Sequence, residues 1–248
     1  MKKMFALAWL AAVSAAAGAA TTTLTGTVRD FVADGQNFEG AIIGLQTGLV
    51  GSTLGGGSPT LTAKGQGLIN EANFNQWFTK STAGEVMPYA ITLSDAGSPG
   101  VYTYTSSAFF PIDGQLLGNQ GRSHNYHFTY AIQAQFGYTP GAGQVFSFTG
   151  DDDVWVYFDK QLGIDLGGVH AAAGASVNLD TFFGSLGGRD AGNYAFDFFF
   201  AERHTSESNL KISTSLALTP TPAIPEPSTY ALMLAGLAAM AFAARRRC

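Results

Sequence analysis

The sequence predicts an all-β fold, a β-sandwich or jelly-roll-like domain, flanked by an N-terminal signal helix and a C-terminal apolar helix. Three observations carry this prediction. Short stretches of period-2 hydrophobicity recur along the chain, and no helical period of useful length interrupts them. Glycine is abundant, at 31 of 248 residues, and supplies turns between those stretches. Phenylalanine is abundant too, at 19 residues, and gathers in segments apolar on both faces, as strands inside a sandwich are.

The chain begins with Lys2 and Lys3, then the short apolar run Met4–Ala17, then the small-residue sites Ala17-Gly18-Ala19 and Gly18-Ala19-Ala20. That order is a secretory signal over residues 1–20, a substrate for signal peptidase. A domain over 21–218 follows. Gly44–Gly67 is rich in Gly, Ser and Thr and reads as a long surface loop. Gln66–Phe78 is the best helix candidate, with Leu68, Ala72 and Asn75 as a weak stripe. Val101–Tyr104 is a short β-type run. His124–Ile132 reads as a strand in which Tyr126, Phe128 and Tyr130 alternate with Asn125, His127 and Thr129. Val145–Thr149 places Phe146 and Phe148 on one face. Val154–Phe158 and Leu162–Leu166 flank a turn at Asp159-Lys160-Gln161 and read as a hairpin. Tyr194–Ala201 is almost continuously apolar, and Leu210–Leu216 alternates Leu210, Ile212, Thr214 and Leu216 inward with Lys211, Ser213 and Ser215 outward. Phe146, Phe148, Trp155, Phe196, Phe198, Phe200 and Ile212 are expected to supply much of the core.

The charge balance narrows the function classes. The chain carries 13 Lys+Arg against 18 Asp+Glu, a net charge of −5, which excludes a nucleic-acid partner because such proteins present a basic face. Within residues 21–223 eight basic residues face seventeen acidic ones, a net charge of −9. An acidic exported domain meets divalent cations in its medium. Cys248 is the single cysteine, so no intramolecular disulfide forms, and its place behind an arginine run reads as incidental.

The strongest local signal is Asp151-Asp152-Asp153, between two apolar strands and after Gly150. Three adjacent carboxylates repel one another unless a cation or a basic group stands near. In an extended chain Asp151 and Asp153 share a face and Asp152 points away, so two consecutive carboxylates can grip one ion only if the backbone bends. A cation-binding pair and a solvated acidic loop both remain open on these grounds. An EF-hand is excluded, because its spacing is absent. Glu202-Arg203-His204 ends the most apolar strand and opens the polar segment Thr205–Asn209, at a sandwich rim where two loops form a joint site. Simple pairing of Glu202 and Arg203 with neighbours is the alternative. His170, after Asp165–Val169, is a third candidate, although a lone histidine is more often structural. His124 and His127 point to opposite faces of a strand, so a shared zinc ion is rejected. No nucleophile elbow, phosphate loop or Cys-x-x-Cys pair occurs. No catalytic residue is assigned. Asp151, Asp153 and Glu202 leave a glycan hydrolase as the remote alternative.

The far end has its own pattern. Residues 219–227 form a Pro-rich, extended linker. Residues 228–248 follow as a short membrane segment in which Tyr230–Ala244 would make a helix about 22 Å long, ahead of Arg245, Arg246 and Arg247. Pro225-Glu226-Pro227, the short apolar span and the terminal arginines resemble the PEP-CTERM sorting signal of Gram-negative bacteria. That resemblance implies transient anchoring in the inner membrane, cleavage by an exosortase-type enzyme, and a destination at the cell surface or in the medium, in the company of extracellular polysaccharide.

The middle resembles a second family. "GDDDVWVYFDKQLGIDLGGVH" and "FFFAERHTSESNLKI", together with "TVRDF", "NFE", "TGLV", "FNQWF", "FFPIDG" and "HNYHFTYAIQAQFGY" in the same order, look like the fibro-slime domain over about Thr27–Ser215. That domain in turn resembles the protective-antigen-like β-sandwich, in which an Asp-Asp pair binds Ca²⁺ and the ion binds sugar hydroxyls. Asp151 and Asp152 match the pair. Asp153 stands where the wider family has Gly, and the second calcium loop matches by position at Glu202–Asn209. The resemblance therefore implies Ca²⁺ held by Asp151 and Asp152; joined with the rim candidates read from the residues, Glu202 is expected as a third metal ligand, with Asp153, His170, His204 and Asn209 around a carbohydrate ligand. It also implies a secreted, non-catalytic extracellular-matrix protein associated with exopolysaccharide or biofilm. A purely structural surface protein with no ligand is the alternative.

Overall fold

The computed structural model describes residues 18–33 and 38–221. The expected signal helix and C-terminal apolar helix, with Pro225–Pro227 and Arg245–Arg247, lie outside the described residues. Among the described residues no helix is long and apolar enough to cross a membrane.

The structure is mostly β. Four strands lie in the first part of the domain, β1 (Thr21–Asp30), β2 (Val86–Ser94), β3 (Tyr102–Ser106) and β4 (Phe128–Tyr138), with two short helices, α1 (Ala63–Gln66) and α2 (Glu71–Trp77), between β1 and β2. Strands β5 (Val145–Asp151), β6 (Asp153–Phe158), β7 (Gln161–Leu166) and β8 (Ala173–Asn178) follow. After them come α3 (Leu179–Ser185), β9 (Gly192–Glu202), β10 (Asn209–Thr214) and β11 (Leu218–Pro220). The strand order is β7-β6-β9-β4-β1-β2-β3-β10-β5-β8, every pair is antiparallel, and β11 pairs with β4. Because β7 comes to lie against β8, the sheet folds back on itself as a near-barrel sandwich.

Two apolar clusters hold it. Between the facing layers lie Phe146, Phe148, Phe158, Phe196, Phe198, Phe200 and Ile212. Phe146 meets Phe158 and Phe196 at ring-centroid distances of 5.7 and 5.2 Å, and Phe148 meets Phe198 at 5.7 Å. The second cluster covers the outer face of β6 and β9. There Trp155, Tyr157, Phe199 and Ala201 pack under Phe38, Leu49, Val50, Phe74, Trp77 and Phe78. Strand β9 is thus buried on both faces, which is why its sequence is continuously apolar rather than alternating. Trp155, expected in the core, is fully buried and belongs to this second cluster.

The covering layer corrects two further expectations. Helix α2 starts at the Asn70 cap, whose side chain accepts from Asn73 N at 3.1 Å. Its buried face is Phe74 and Trp77, one helical turn apart, with Phe78 just beyond. Ala72 and Asn75 are exposed, and Leu68 is 43% exposed before the helix begins. The Gly44–Gly67 stretch does not lie loose on the surface, since Leu49, Val50 and Leu54 are buried anchors of the second cluster and α1 closes its end.

Two other expectations need adjustment. Strand β4 starts at Phe128, so His124–His127 precede it, and residues 125–130 are all buried rather than alternating. The hairpin β6–β7 forms as expected and turns at Asp159 and Lys160, both left-handed, with φ of 51° and 63°. The sheet also continues past the expected domain end. Thr219 and Pro220 pair with Gln135 and Ala134, and the Thr221 hydroxyl donates to Gln133 O at 2.7 Å.

Candidate functional site

Consecutive strands β5 and β6 stand far apart in the strand order, and a single residue, Asp152, links them. Strands β9 and β10 are also far apart, and residues 203–208 link them. Asp151 is opposite Asn209 in the β5–β10 ladder, and Asp153 is opposite Ala201 in the β6–β9 ladder. Both crossings therefore run over the same rim of the sandwich. The Asp151–Asp152 peptide there is cis.

Hydrogen bonds from two segments, the 167–170 loop and residues 203–209, fix the three Asp carboxylates. Asp151 accepts from Asn209 N at 2.5 Å and from Asn209 Nδ2 at 2.9 Å. Asp152 accepts from His170 N at 3.0 Å on one oxygen and from Arg203 N at 3.1 Å on the other. Asp153 accepts from Gly168 N and pairs with the Arg203 guanidinium at 3.1 Å. Arg203 in turn sits over the Trp77 ring, which ties the rim to the second apolar cluster.

The site is buried and over-charged. Asp151 and Asp152 are 5% exposed, and Asp153 and Glu202 are fully buried. Neither Glu202 oxygen has a hydrogen-bond partner, and the Ser208 hydroxyl beside it donates to Phe109 O at 2.8 Å. Burial, then the Asp152 charge, holds the Glu202 carboxyl well above its ordinary range. Burial and the neighbouring Asp153 push Asp152 up to about 8, against the lowering effect of the His170 and Arg203 contacts. Four carboxylates thus share this rim with the one guanidinium that pairs with Asp153.

The expected site residues divide into those that meet and those that do not. Asp151, Asp152, Glu202 and Asn209 converge. Among the described residues, however, no three His, Cys, Asp or Glu side chains are arranged to enclose a metal ion by themselves. Asp153, expected to touch ligand, is instead fully buried in its pair with Arg203 and positions the rim. His170 contributes its backbone N–H, while its ring nitrogen Nδ1 lies 2.8 Å from Ala171 O. His204 is turned away to a neighbouring segment, with Nε2 2.7 Å from Gly40 O and Nδ1 3.6 Å from Glu39. His124 and His127 go separate ways: His124 stacks on Phe110 and meets Asp113, and His127 Nε2 meets Glu39 at 2.6 Å. Glu39 was not singled out from the sequence. Its one signal was its membership in the "NFE" fragment.

The donor set fits a calcium ion in part. Each Asp151 and Asp152 oxygen has a second lone pair beyond its N–H contact, and the unpartnered Glu202 oxygens add negative charge behind them. Ca²⁺ takes six to eight oxygens, so backbone carbonyls and water must complete the shell.

Two regions of the chain are similar to known families. Residues 111–227 match the PA14 domain, and residues 223–247 match the PEP-CTERM protein-sorting motif. Protein psiQ of Dictyostelium discoideum is 44% identical over 194 residues, 71% of this chain and 19% of its own length. Protein psiC of the same organism is 44% identical over 61% of this chain and 30% of its own length, and Protein psiR is 38% identical over 76% and 20%. The chain spans about a fifth to a third of the length of these relatives. Among solved structures, the PA14 domain of the MpAFP antifreeze protein aligns over 86% of this chain and 89% of that one, with 11% identity and a TM-score of 0.37. The chain thus joins a region similar to the PA14 domain to a segment that matches the PEP-CTERM sorting motif, and that motif indicates export and C-terminal processing for the cell surface or the medium.

Proposed function

We propose that the domain is a non-catalytic binding module of the extracellular matrix, in which Asp151 and Asp152 hold Ca²⁺ for the recognition of polysaccharide hydroxyls. The observation that supports this reading is the excess of buried negative charge at one rim, with both Glu202 oxygens unpartnered. Such a site must take up protons or a cation. Asn209 aims both Asp151 oxygens, and the His170 and Arg203 amides aim those of Asp152. Glu202 lies behind the pair as a second source of negative charge. Bound Ca²⁺ supplies open coordination positions at which vicinal hydroxyls replace water.

A structural brace without ligand is the rival reading. It is favoured by the fact that all six oxygens of Asp151, Asp152 and Asp153 already accept a hydrogen bond or ion pair. Thermal melting separates the two. Binding to the native state adds about 2.7 kcal/mol at a hundredfold excess over Kd. The melting temperature is expected to rise with millimolar Ca²⁺, to fall with chelator, and to lose both responses in Asp152→Ala. Wild-type melting indifferent to Ca²⁺ and chelator would establish the brace.

A further inference from the structure

Strand β11 aims the chain into a groove. Leu218 lies opposite Phe136 and Pro220 opposite Ala134, so the chain runs toward the start of β4, and the Thr221 hydroxyl reaches Gln133 O at 2.7 Å. The next places along that edge are taken, because Ala131 to Phe128 pair with Thr27 to Asp30 of β1. A chain continuing in this direction past Thr221 finds no free edge of β4, and the inner face of the sheet is packed core. It must rise onto the outer face.

An open groove of about 980 Å³ lies there. Thr27, Ala131 and Gln133 line its floor, and Gly57 and Phe78 of the covering layer line its side. Thr221 marks one end, beside Gln133, and Arg29 marks the other, opposite Thr129. The Arg29 charge lacks a counter-charge. Its Nε donates to Lys80 O at 2.9 Å, Nη1 is buried with no hydrogen-bond partner, and among the described residues no carboxylate pairs with it. Burial works against this cation. Lys80, the cation beside it, is already paired with Glu85.

We propose that the groove is the seat of the chain's own segment Pro222–Pro227, with Glu226 paired to Arg29. Glu226 is the one charged residue between Lys211 and Arg245. The floor from Gln133 to Thr129 is four strand residues, about 13 Å. Glu226 stands five residues past Thr221, and an extended Pro-rich segment covers about 16 Å in that number. Pro222, Pro225 and Pro227 have no N–H to add to a ladder, so the segment lies on the sheet face instead of widening the sheet. Phe78 offers proline rings an aromatic wall, and a chain that is extended beforehand loses little entropy on docking. Asp197, buried opposite Gln133, makes the near end anionic and steers Glu226 toward Arg29. The matched sorting motif begins at residue 223, so the folded sheet holds the start of the processed segment and couples processing to folding. Neither a cation nor the acidic rim takes part.

Disulfide trapping tests this in the full chain, made in a host without the processing enzyme, held in dodecylmaltoside micelles and carrying Cys248→Ser. Thr27 is opposite Ala131 and Ala195 is opposite Gln135, so the two lie on either side of β4, each two residues along it from Gln133, and a free tail reaches both. Ile224→Cys is combined with Thr27→Cys in one variant and with Ala195→Cys in another. The intramolecular disulfide is expected to form about fivefold or more faster with Thr27→Cys, as a half-buried ion pair allows. Glu226→Gln, which touches no described contact of the domain, should bring the two rates together. Arg29→Glu should do the same, and Arg29→Glu/Glu226→Arg should restore the difference. Equal rates in the parent, or a preference for Thr27→Cys that survives Glu226→Gln, overturns the proposal. Disulfides that form only between chains, at rates rising with protein concentration, would assign the groove to a second copy and overturn it as well. If Arg29→Glu lowers the melting temperature, the Glu226→Gln comparison decides alone.

Discussion

Asn209 caps both oxygens of Asp151, one through its backbone N–H at 2.5 Å and the other through its side-chain amide at 2.9 Å. The first residue of β10 is in this way fastened to the last residue of β5, and the acidic rim is locked to the sheet ladder below it.

Asn209→Ala removes the side-chain half of that cap. A hydrogen bond to a charged group contributes about 1.5–3 kcal/mol, and the part-exposed position favours the lower end. Urea denaturation should show a lower midpoint at unchanged slope. Asn209→Asp should cost more in chelator than in Ca²⁺, because it adds a carboxylate facing Asp151.

The pH dependence has a definite sign. The Asp152 carboxyl is raised from 3.8 to about 8, and Glu202 is raised as well. A group raised in the folded state stabilises fully below its unfolded value and loses that contribution as pH climbs to its folded value. In chelator, stability should therefore fall between about pH 4 and pH 8, by no more than about 1.4 kcal/mol per pH unit for Asp152. Asp152→Asn should flatten the slope. Melting curves in chelator that rise over this range would contradict the charge balance described for the rim.

Phe198 is fully buried between the layers, its ring tilted against that of Phe148. Phe198→Ala should cost about 3–5 kcal/mol. That is a large part of a typical domain stability of about 5–15 kcal/mol, so the variant should show poor soluble yield together with a lowered denaturation midpoint.

Gly168 has φ of +92° and no room for a Cβ, and its N–H reaches Asp153. Gly168→Ala should displace Gly44, loosen residues 41–46 and unseat Asp153 together. Hydrogen–deuterium exchange should speed up in residues 41–46 and at the 167–170 loop, while the β4–β9 ladder stays protected.

The strands legible in the sequence were those whose side chains declare two faces. Leu210 to Leu216 alternate as expected, and Phe146 and Phe148 point inward. The double burial of Phe196 to Ala201 was also visible, but not its cause. The layer built from Phe38, Leu49, Phe74 and Trp77 comes from a glycine-rich stretch and a seven-residue helix, neither long enough to show a period. Strand β1, "TTTLTGTVRD", passed unread because threonine fills its outward positions and only Leu24 and Val28 announce its inner face. At the site, Asp151, Asp152 and Glu202 are legible from their places at strand ends, and Asn209 from its place in the polar segment that resembles the second calcium loop. The roles of Arg203 and Gly168 depend on backbone amides and on contacts, to Trp77 and Gly44, across more than a hundred residues, which no local pattern encodes.

Strand β11 gives the last consequence. The described chain leaves the domain from a three-residue strand laid on β4, with Leu218 buried and the Thr22 hydroxyl donating to Leu218 O at 3.1 Å. Among the described residues, a pull on a tail held at the cell surface would arrive first at the Thr221 hydroxyl on Gln133 O, then at Pro220, which has no N–H to give, and would peel β11 from β4 one residue at a time. The short strand would act as a mechanical fuse, yielding at low load and lengthening the tether before tension reached the long β4–β9 ladder and the rim that ladder supports.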